Sequence, residues 1–240
     1  MTIQQIYDHY RILPMLQLHQ LRVAGVARFI AGYLKTPVDM QLITEACLLH
    51  DMGNIIKFDL LMYPDFLKPD GYEYWFQVQS YFKQRYGENE FQANLKIAQE
   101  IGLRPEVQEI IGSISFTHVI QNFESENMAL KISDYADTRV SPLKVVSLEE
   151  RFVDLETRYG KRYSSEDEQR ARKQFQDVML QIQDQIFNQV SDITPQLITD
   201  EAINPLLESL RTTEITTVNM PVSMVAAVPA TPPPATTSVS

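Results

Sequence analysis

The sequence predicts an all-α protein, and three observations lead to that prediction. Only 8 of the 240 residues are glycine, so the chain is poor in a residue that weakens helices. Apolar residues recur at steps of three and four along most of the chain, which is the period of a helix with one buried face. We find no segment that alternates apolar and polar residues as a half-buried strand would.

The first predicted helix covers residues 15–34 and carries a histidine on its apolar side. His19 shares a helical face with Val23 and Val26, so we expect its imidazole to point inward. The apolar positions of this helix are Leu18, Leu21, Val23, Val26, Phe29, Ile30 and Tyr33.

The second predicted helix begins after Pro37 and ends at the pair His50 and Asp51. Asp39 is a favoured type of N-cap residue, and Gly53 is a typical stop just beyond a helix end. The apolar face consists of Leu42, Ile43, Ala46 and Leu49.

The later helices are predicted from capping and breaking residues. Prolines and a glycine make residues 54–72 a long connection, with a helical turn at 57–62. Ser147 and Ser165 each precede a glutamate by three residues, which is the capping-box pattern. The predicted helices are 73–86, 89–101, 105–119, 126–138 with Ser125 as its cap, 148–159, 165 to about 190, and a shorter one that starts at Thr194 and is interrupted by Pro205.

The C-terminal segment differs in composition from the rest of the chain. Residues 215–240 carry no charged side chain and hold five of the 13 prolines. Such a composition does not build a core. We therefore expect one helical domain over residues 1–211 and a disordered Thr/Pro/Ala-rich tail over 212–240.

Charge and cysteine content exclude several classes of function. The net charge of −10 argues against a broad nucleic-acid-binding surface, although a local basic patch for a small phosphorylated molecule remains compatible with it. With Cys47 alone, no disulfide framework can form. We see no signal peptide and no run of about 18 apolar residues, so we expect a cytoplasmic protein without a membrane span.

Histidines and aspartates on the predicted helices form a metal-ligand pattern. The chain has four histidines, of which His19 lies on an apolar helix face and His50 directly precedes Asp51. Asp134 and Asp137 follow later, three residues apart and so on one face of a helix. Imidazoles and carboxylates are common ligands of hydrolytic metal ions, which lower the pKa of a bound water and polarise a phosphoryl oxygen.

The order His, His-Asp, Asp resembles the HD superfamily of metal-dependent phosphohydrolases. The matching segments are HQLRVAGVA around His19, LLHDMGN around His50 and KISDYADTRV around Asp137, and the resemblance spans roughly residues 15–160. It implies a helical bundle that binds one divalent metal (Mn, Fe, Zn, Co, Ni or Mg) through two histidines and two aspartates. The last ligand of the family often follows an alanine, so the resemblance favours Asp137, which follows Ala136, with Asp134 as the alternative.

Two departures from the family pattern affect what the resemblance implies. Glu90 lies in the region where members with two metals carry a further histidine, so one ion is favoured and a second stays open. Asn54 stands where the family often has a lysine, which removes a cation near the phosphate.

The phosphate contacts are therefore sought elsewhere in the chain. We expect Arg22 and Arg139 to contact the substrate, since arginine suits bidentate phosphate binding. His118 is a further candidate for a substrate contact, and a base beside the metal or a core residue are its alternatives. Asp51 is expected to bind the metal and to assist proton transfer as the catalytic residue.

The resemblance thus implies hydrolysis of a phosphoester, with a nucleotide or nucleoside monophosphate as the expected substrate. Two alternatives stay open. One is a non-catalytic regulatory or binding module that docks a partner through residues 215–240. The other is a phosphodiesterase for a cyclic or signalling nucleotide. Helical proteins of this superfamily often pair, so a homodimer is also an expectation.

Overall fold

The computed structural model describes residues 1–160 and 165–218, and in them the predicted all-α fold is confirmed. The described residues contain no β-strand, and none of their helices has the length and apolar character needed to cross a membrane. The helices are α1 (Ile3–Tyr10), α2 (Pro14–Ala31), α3 (Met40–Leu49), α4 (Gly71–Tyr86), α5 (Glu90–Ile101), α6 (Pro105–Ser113), α7 (Val119–Glu124), α8 (Met128–Thr138), α9 (Leu148–Tyr159), α10 (Glu166–Phe187), α11 (Asp200–Ile203) and α12 (Leu207–Arg211).

The centre of the bundle is α2, which packs against α3 and α8. Its buried residues lie on most of its circumference, because α11 and α12 cover the side that α3 and α8 leave free. Gly25 permits the close approach on that side, since a Cβ there would lie 2.7 Å from a methyl group of Ile203. The three helices α2, α3 and α8 thus form a rigid centre, and each of them carries predicted ligand residues.

Several helix boundaries differ from the predicted ones. The predicted helix 105–119 is interrupted, because α6 ends at Ser113 and α7 begins at Val119. The Ser115 hydroxyl lies 2.7 Å from Nδ1 of His118, so a local side-chain hydrogen bond competes with helical geometry here. Asn127, not Ser125, caps α8. The turn predicted at 57–62 is replaced by short 3-10 segments at Asn54–Lys57 and Pro64–Leu67, and α1 was not predicted at all.

Residues 212–218 belong to the folded part of the chain, although the predicted tail begins at 212. The Ile3 amide donates to the Thr213 carbonyl at 2.8 Å, and the Ile215 amide donates to the Met1 carbonyl at 2.9 Å. Ile215 is buried. The start of the tail was predicted from amino-acid composition, and hydrogen bonds between backbone groups do not depend on composition. The remainder of the predicted tail, 219–240, lies outside the described residues.

Candidate metal centre

The central helices bring the four predicted metal ligands into one cluster. His19 comes from the middle of α2, His50 and Asp51 follow the last residue of α3, and Asp137 lies near the end of α8. One ligand atom from each of these four residues lies within 4.8 Å of all the others. We call this group the ligand cluster.

The distances inside the ligand cluster are close to the spacing of neighbouring ligands around one ion: two lie within that range and two exceed it slightly. The Nε2 atoms of His19 and His50 lie 3.0 and 3.3 Å from Oδ1 of Asp137, and each lies 3.6 Å from Oδ2 of Asp51. With metal–ligand bonds of about 2.1 Å, adjacent ligand atoms are about 3.0–3.4 Å apart in octahedral or tetrahedral geometry. The residues therefore fit a divalent metal ion without large rearrangement.

Hydrogen bonds outside the cluster hold its members in this orientation. The ring nitrogen Nδ1 of His50 lies 2.8 Å from the carbonyl of Cys47, which directs Nε2 toward the cluster. The side-chain oxygen of Gln20 accepts from the Asp51 amide, so α2 also fixes the backbone at the end of α3. Contacts of this kind set the tautomer and direction of ligand histidines in metal sites.

The turn after Asp51 is packed too tightly for a side chain at Gly53. A Cβ there would lie 2.6 Å from Cβ of Ala93 on α5, and the Gly53 amide donates to the side chain of Asn94 at 2.6 Å. The glycine thus allows α5 to press against the turn that presents His50 and Asp51.

The charges in the ligand cluster favour a cation. Burial opposes a charge on His50, but the carboxylates of Asp51 and Asp137 outweigh it and raise the pKa of His50 to about 9. Burial likewise opposes a charge on Asp137, yet hydrogen bonds with His19 and His50 hold the pKa of Asp137 well below its usual range. The two carboxylates therefore attract positive charge, and a divalent ion would satisfy the same potential.

Asp134, the alternative last ligand, does not join the ligand cluster. Its carboxylate is buried on α8 and accepts a hydrogen bond from Asn122 on α7 at 2.8 Å. Burial, together with the nearby charge of Asp137, raises the pKa of Asp134 to about 7. The geometry thus brings Asp137, and not Asp134, to the two histidines.

A small cavity of about 40 Å³ adjoins the ligand cluster, and sequence reasoning did not anticipate most of its residues. Asp137 belongs to both the cluster and the cavity wall. Arg151 on α9 also lines it, but a single arginine in a helix that is rich in charges gives no signal in the sequence. The full lining is Ser115, Phe116, Asp134, Asp137, Thr138, Arg151, Leu155 and Phe175.

Arg139, a predicted substrate contact, has a structural role instead. Its guanidinium is buried and donates to the backbone carbonyls of Val146, Pro195 and Ile198 and to the hydroxyl of Tyr135. Because these bonds occupy all three nitrogens, the side chain ties the connection after α8 to the segment after α10. The prediction relied on the nearness of Arg139 to Asp137 in sequence, but a residue two positions further along points to another side of a helix.

The other two predicted substrate contacts lie outside the ligand cluster. Arg22, one turn after His19, is half-buried and faces Asp200, with 3.9 Å between Nε and Oδ1. Its Nε and Nη1 have no hydrogen-bond partner among the described residues, and burial lowers the pKa of Arg22. His118 is exposed, and Ser115 connects it to the small cavity.

A larger cavity of about 410 Å³ lies between the start of α9 and residues 195–201. Arg139, Lys144, Gln183 and Asp200 are among its lining residues. No member of the ligand cluster lines this cavity, so we assign it no part in the metal chemistry, although it is the larger of the two cavities.

Comparison with known proteins agrees with this geometry. A family model described as "HD domain" matches residues 17–139, which is just over half of the chain. The matched range begins two residues before His19, ends two residues after Asp137, and contains all four members of the ligand cluster. No curated protein and no solved structure matches the chain.

Proposed function

Because the chain belongs to the HD domain family, whose members are generally metal-dependent hydrolases, we propose that it hydrolyses a phosphoester at the ligand cluster. The observation that carries this proposal is the convergence of His19, His50, Asp51 and Asp137 from three helices, within 4.8 Å of one another. Such a convergence of two buried imidazoles and two half-buried carboxylates is costly for a purely structural role.

In this proposal the four residues hold one divalent ion. When bound, the ion would supply a water of lowered pKa and would polarise a phosphoryl oxygen. Asp51 and Asp137 are partly open to solvent, with side chains 19% and 29% exposed, so water and a substrate reach the cluster from their side. Asp51 is the residue we assign to accept a proton from the attacking water, since a carboxylate within reach acts as a general base.

The proposed substrate is a phosphomonoester such as a nucleoside monophosphate. A phosphoryl group carries hard anionic oxygens, which a divalent ion and an arginine side chain both bind well. Phe116, which is 51% exposed at the small cavity, supports a substrate with a flat apolar part, because an exposed aromatic ring offers a stacking surface. A cytoplasmic location remains the expectation from the sequence.

The test is metal analysis followed by assay against a panel of phosphoesters. The full chain should contain about one divalent ion, and His50→Ala and Asp51→Ala should each lose both the ion and the turnover. His9→Ala is the matched control, because His9 lies outside the ligand cluster, and it should keep both. Protein that binds no metal and hydrolyses no phosphoester would refute the proposal. Metal binding without any turnover would favour the regulatory module.

A further inference from the structure

The small cavity beside Asp137 has one basic residue among the described residues that line it, and that residue is Arg151. Its side chain is 13% exposed. Within residues 1–160 and 165–218, the buried Nε of Arg151 has no hydrogen-bond partner. A buried N–H of a guanidinium without a partner is costly, which suggests that a ligand completes the site.

The surroundings of Arg151 leave positive charge available for an anion. Its Nη1 donates to Asp154 at 2.7 Å, and the same carboxylate accepts from Nε and Nη2 of Arg158 at 2.9 and 2.6 Å. Two guanidinium groups thus share one carboxylate, so these three side chains together carry one net positive charge. The carboxyl groups of Asp134 and Asp137 line the same cavity, so an anion binds there only when a cation at the ligand cluster balances Asp137. The two hydrogen bonds from Arg158 fix the carboxylate of Asp154, and this carboxylate in turn holds Nη1 of Arg151.

The position of Arg151 is set by the helix packing around the ligand cluster. Arg139 ties the connection between α8 and α9 to the backbone at 195–198, so α9 starts from a fixed place. This arrangement keeps Arg151 on the wall of a cavity that Asp137 also lines. An anion in the cavity would therefore contact a guanidinium on one side and lie beside the ion that Asp137 would hold on the other.

The volume of the cavity limits what it holds. About 40 Å³ is room for a few water molecules, far below the 300–1,000 Å³ or so of a pocket for a whole organic ligand. Such a space suits the anionic oxygens of one phosphoryl group, while the organic part of the substrate stays outside, on the side of the exposed Phe116.

We propose that Arg151 binds an anionic oxygen of the substrate phosphoryl group in this cavity, a role that rests on the proposed function of the ligand cluster. The Nε of Arg151 without a partner and the cavity that this side chain shares with Asp137 point to an anion beside a bound cation. Arginine suits this role because its planar fork matches the geometry of phosphate oxygens.

The experiment measures binding of inorganic phosphate, a product of phosphomonoester hydrolysis, to the manganese-loaded full chain by calorimetry. Arg151→Gln should weaken phosphate binding by about 10- to 100-fold, the loss typical of one hydrogen bond to a charged group. Arg151→Lys should lose less phosphate affinity, because lysine keeps the positive charge but lacks the forked guanidinium group. Arg170→Gln is the matched control, since Arg170 is 70% exposed on α10, and it should bind phosphate as the parent does.

A further measurement, the manganese affinity, separates this role from a structural one. Manganese affinity should stay within about twofold in every variant, because Arg151 is not a metal ligand. If Arg151→Gln does not fold, Arg151→Lys decides the matter by the same readings. Phosphate affinity equal to that of the parent, or weakened only in step with manganese affinity, would overturn the inference.

The failure of this inference is distinguishable from failure of the proposed function. A parent chain that hydrolyses a phosphoester, with the same KM and phosphate affinity in Arg151→Gln, overturns the role of Arg151 alone. A parent chain without turnover on any phosphoester, whose phosphate binding still depends on Arg151, overturns the hydrolase proposal and supports the anion site.

Discussion

Replacing the buried carboxyl group of Asp134 with the amide of asparagine should stabilise the metal-free protein, and more so at higher pH. Asp134 is buried on α8, and burial raises its pKa to about 7 from the usual 3.8. The folded chain therefore holds the proton of Asp134 more tightly than the unfolded chain does. It follows that the carboxyl group costs nothing well below pH 3.8, and that its cost grows as the pH rises to about 7.

The size of this effect follows from the two pKa values. At 1.36 kcal/mol for each pH unit, the difference between them corresponds to about 4 kcal/mol once the pH exceeds 7. An asparagine at this position stays neutral and keeps an oxygen that accepts from Asn122. Relative to the parent, Asp134→Asn should therefore gain about 2 kcal/mol at pH 5 and about 4 kcal/mol at pH 8.

Urea unfolding in the presence of a chelator measures this gain. The control is Asp177→Asn on α10, an exposed position whose effect should be small at both pH values. A gain that does not change between pH 5 and pH 8, or a loss of stability at pH 8, would contradict the argument. Either result would mean that the interior around α8 solvates the ionised carboxylate.

Three other predictions concern the parts that hold the ligand cluster in place. Gly53→Ala should cost about 1–3 kcal/mol because its Cβ would meet Ala93 and Asn94. Adding Ala93→Gly should recover only part of this, since Asn94 stays close and a glycine weakens α5, and Gly32→Ala should change little. Arg139→Lys should lower the free energy of unfolding, measured in urea, by more than 3 kcal/mol, because several buried carbonyls lose their donor. Unchanged stability together with weaker phosphate binding would instead support the substrate contact predicted from the sequence. Chelation of the bound metal should lower Tm, because an ion held by ligands from three helices stabilises the folded chain. An unchanged Tm would argue against a metal site that links the three helices.

The sequence alone predicts most of the helices and the four residues that the fold brings together in the ligand cluster. Helices with an N-cap such as Asp39 or a capping box such as Ser147 are found almost to the residue, because these signals are local. The ligand cluster is predicted because the chain has few histidines and two of them stand in the order His, His-Asp, Asp of the HD superfamily. The choice between Asp134 and Asp137 needs the structure, since both lie on one face of α8 and only packing distinguishes a ligand from a buried neighbour.

The substrate contacts are predicted less well, for a reason that lies in tertiary structure. Arg139 was assigned to the substrate from its nearness to Asp137 in sequence, yet its donors bind carbonyls from segments up to 59 residues away. Arg151 was not considered, because nothing in the sequence shows that α9 returns to the cavity beside Asp137. Charged residues in helices look alike until the packing of the helices is known.

The pairing of residues 213–218 with the rest of the fold defines the shortest fragment worth expressing. Glu45 is fully buried on α3, the helix that leads to His50, and it accepts a hydrogen bond from the Thr216 amide at 2.7 Å. A chain cut after residue 211 would remove that donor and would uncover the apolar surface beneath Ile215. A chain made for crystallisation or for metal titration should therefore extend to residue 218 or beyond.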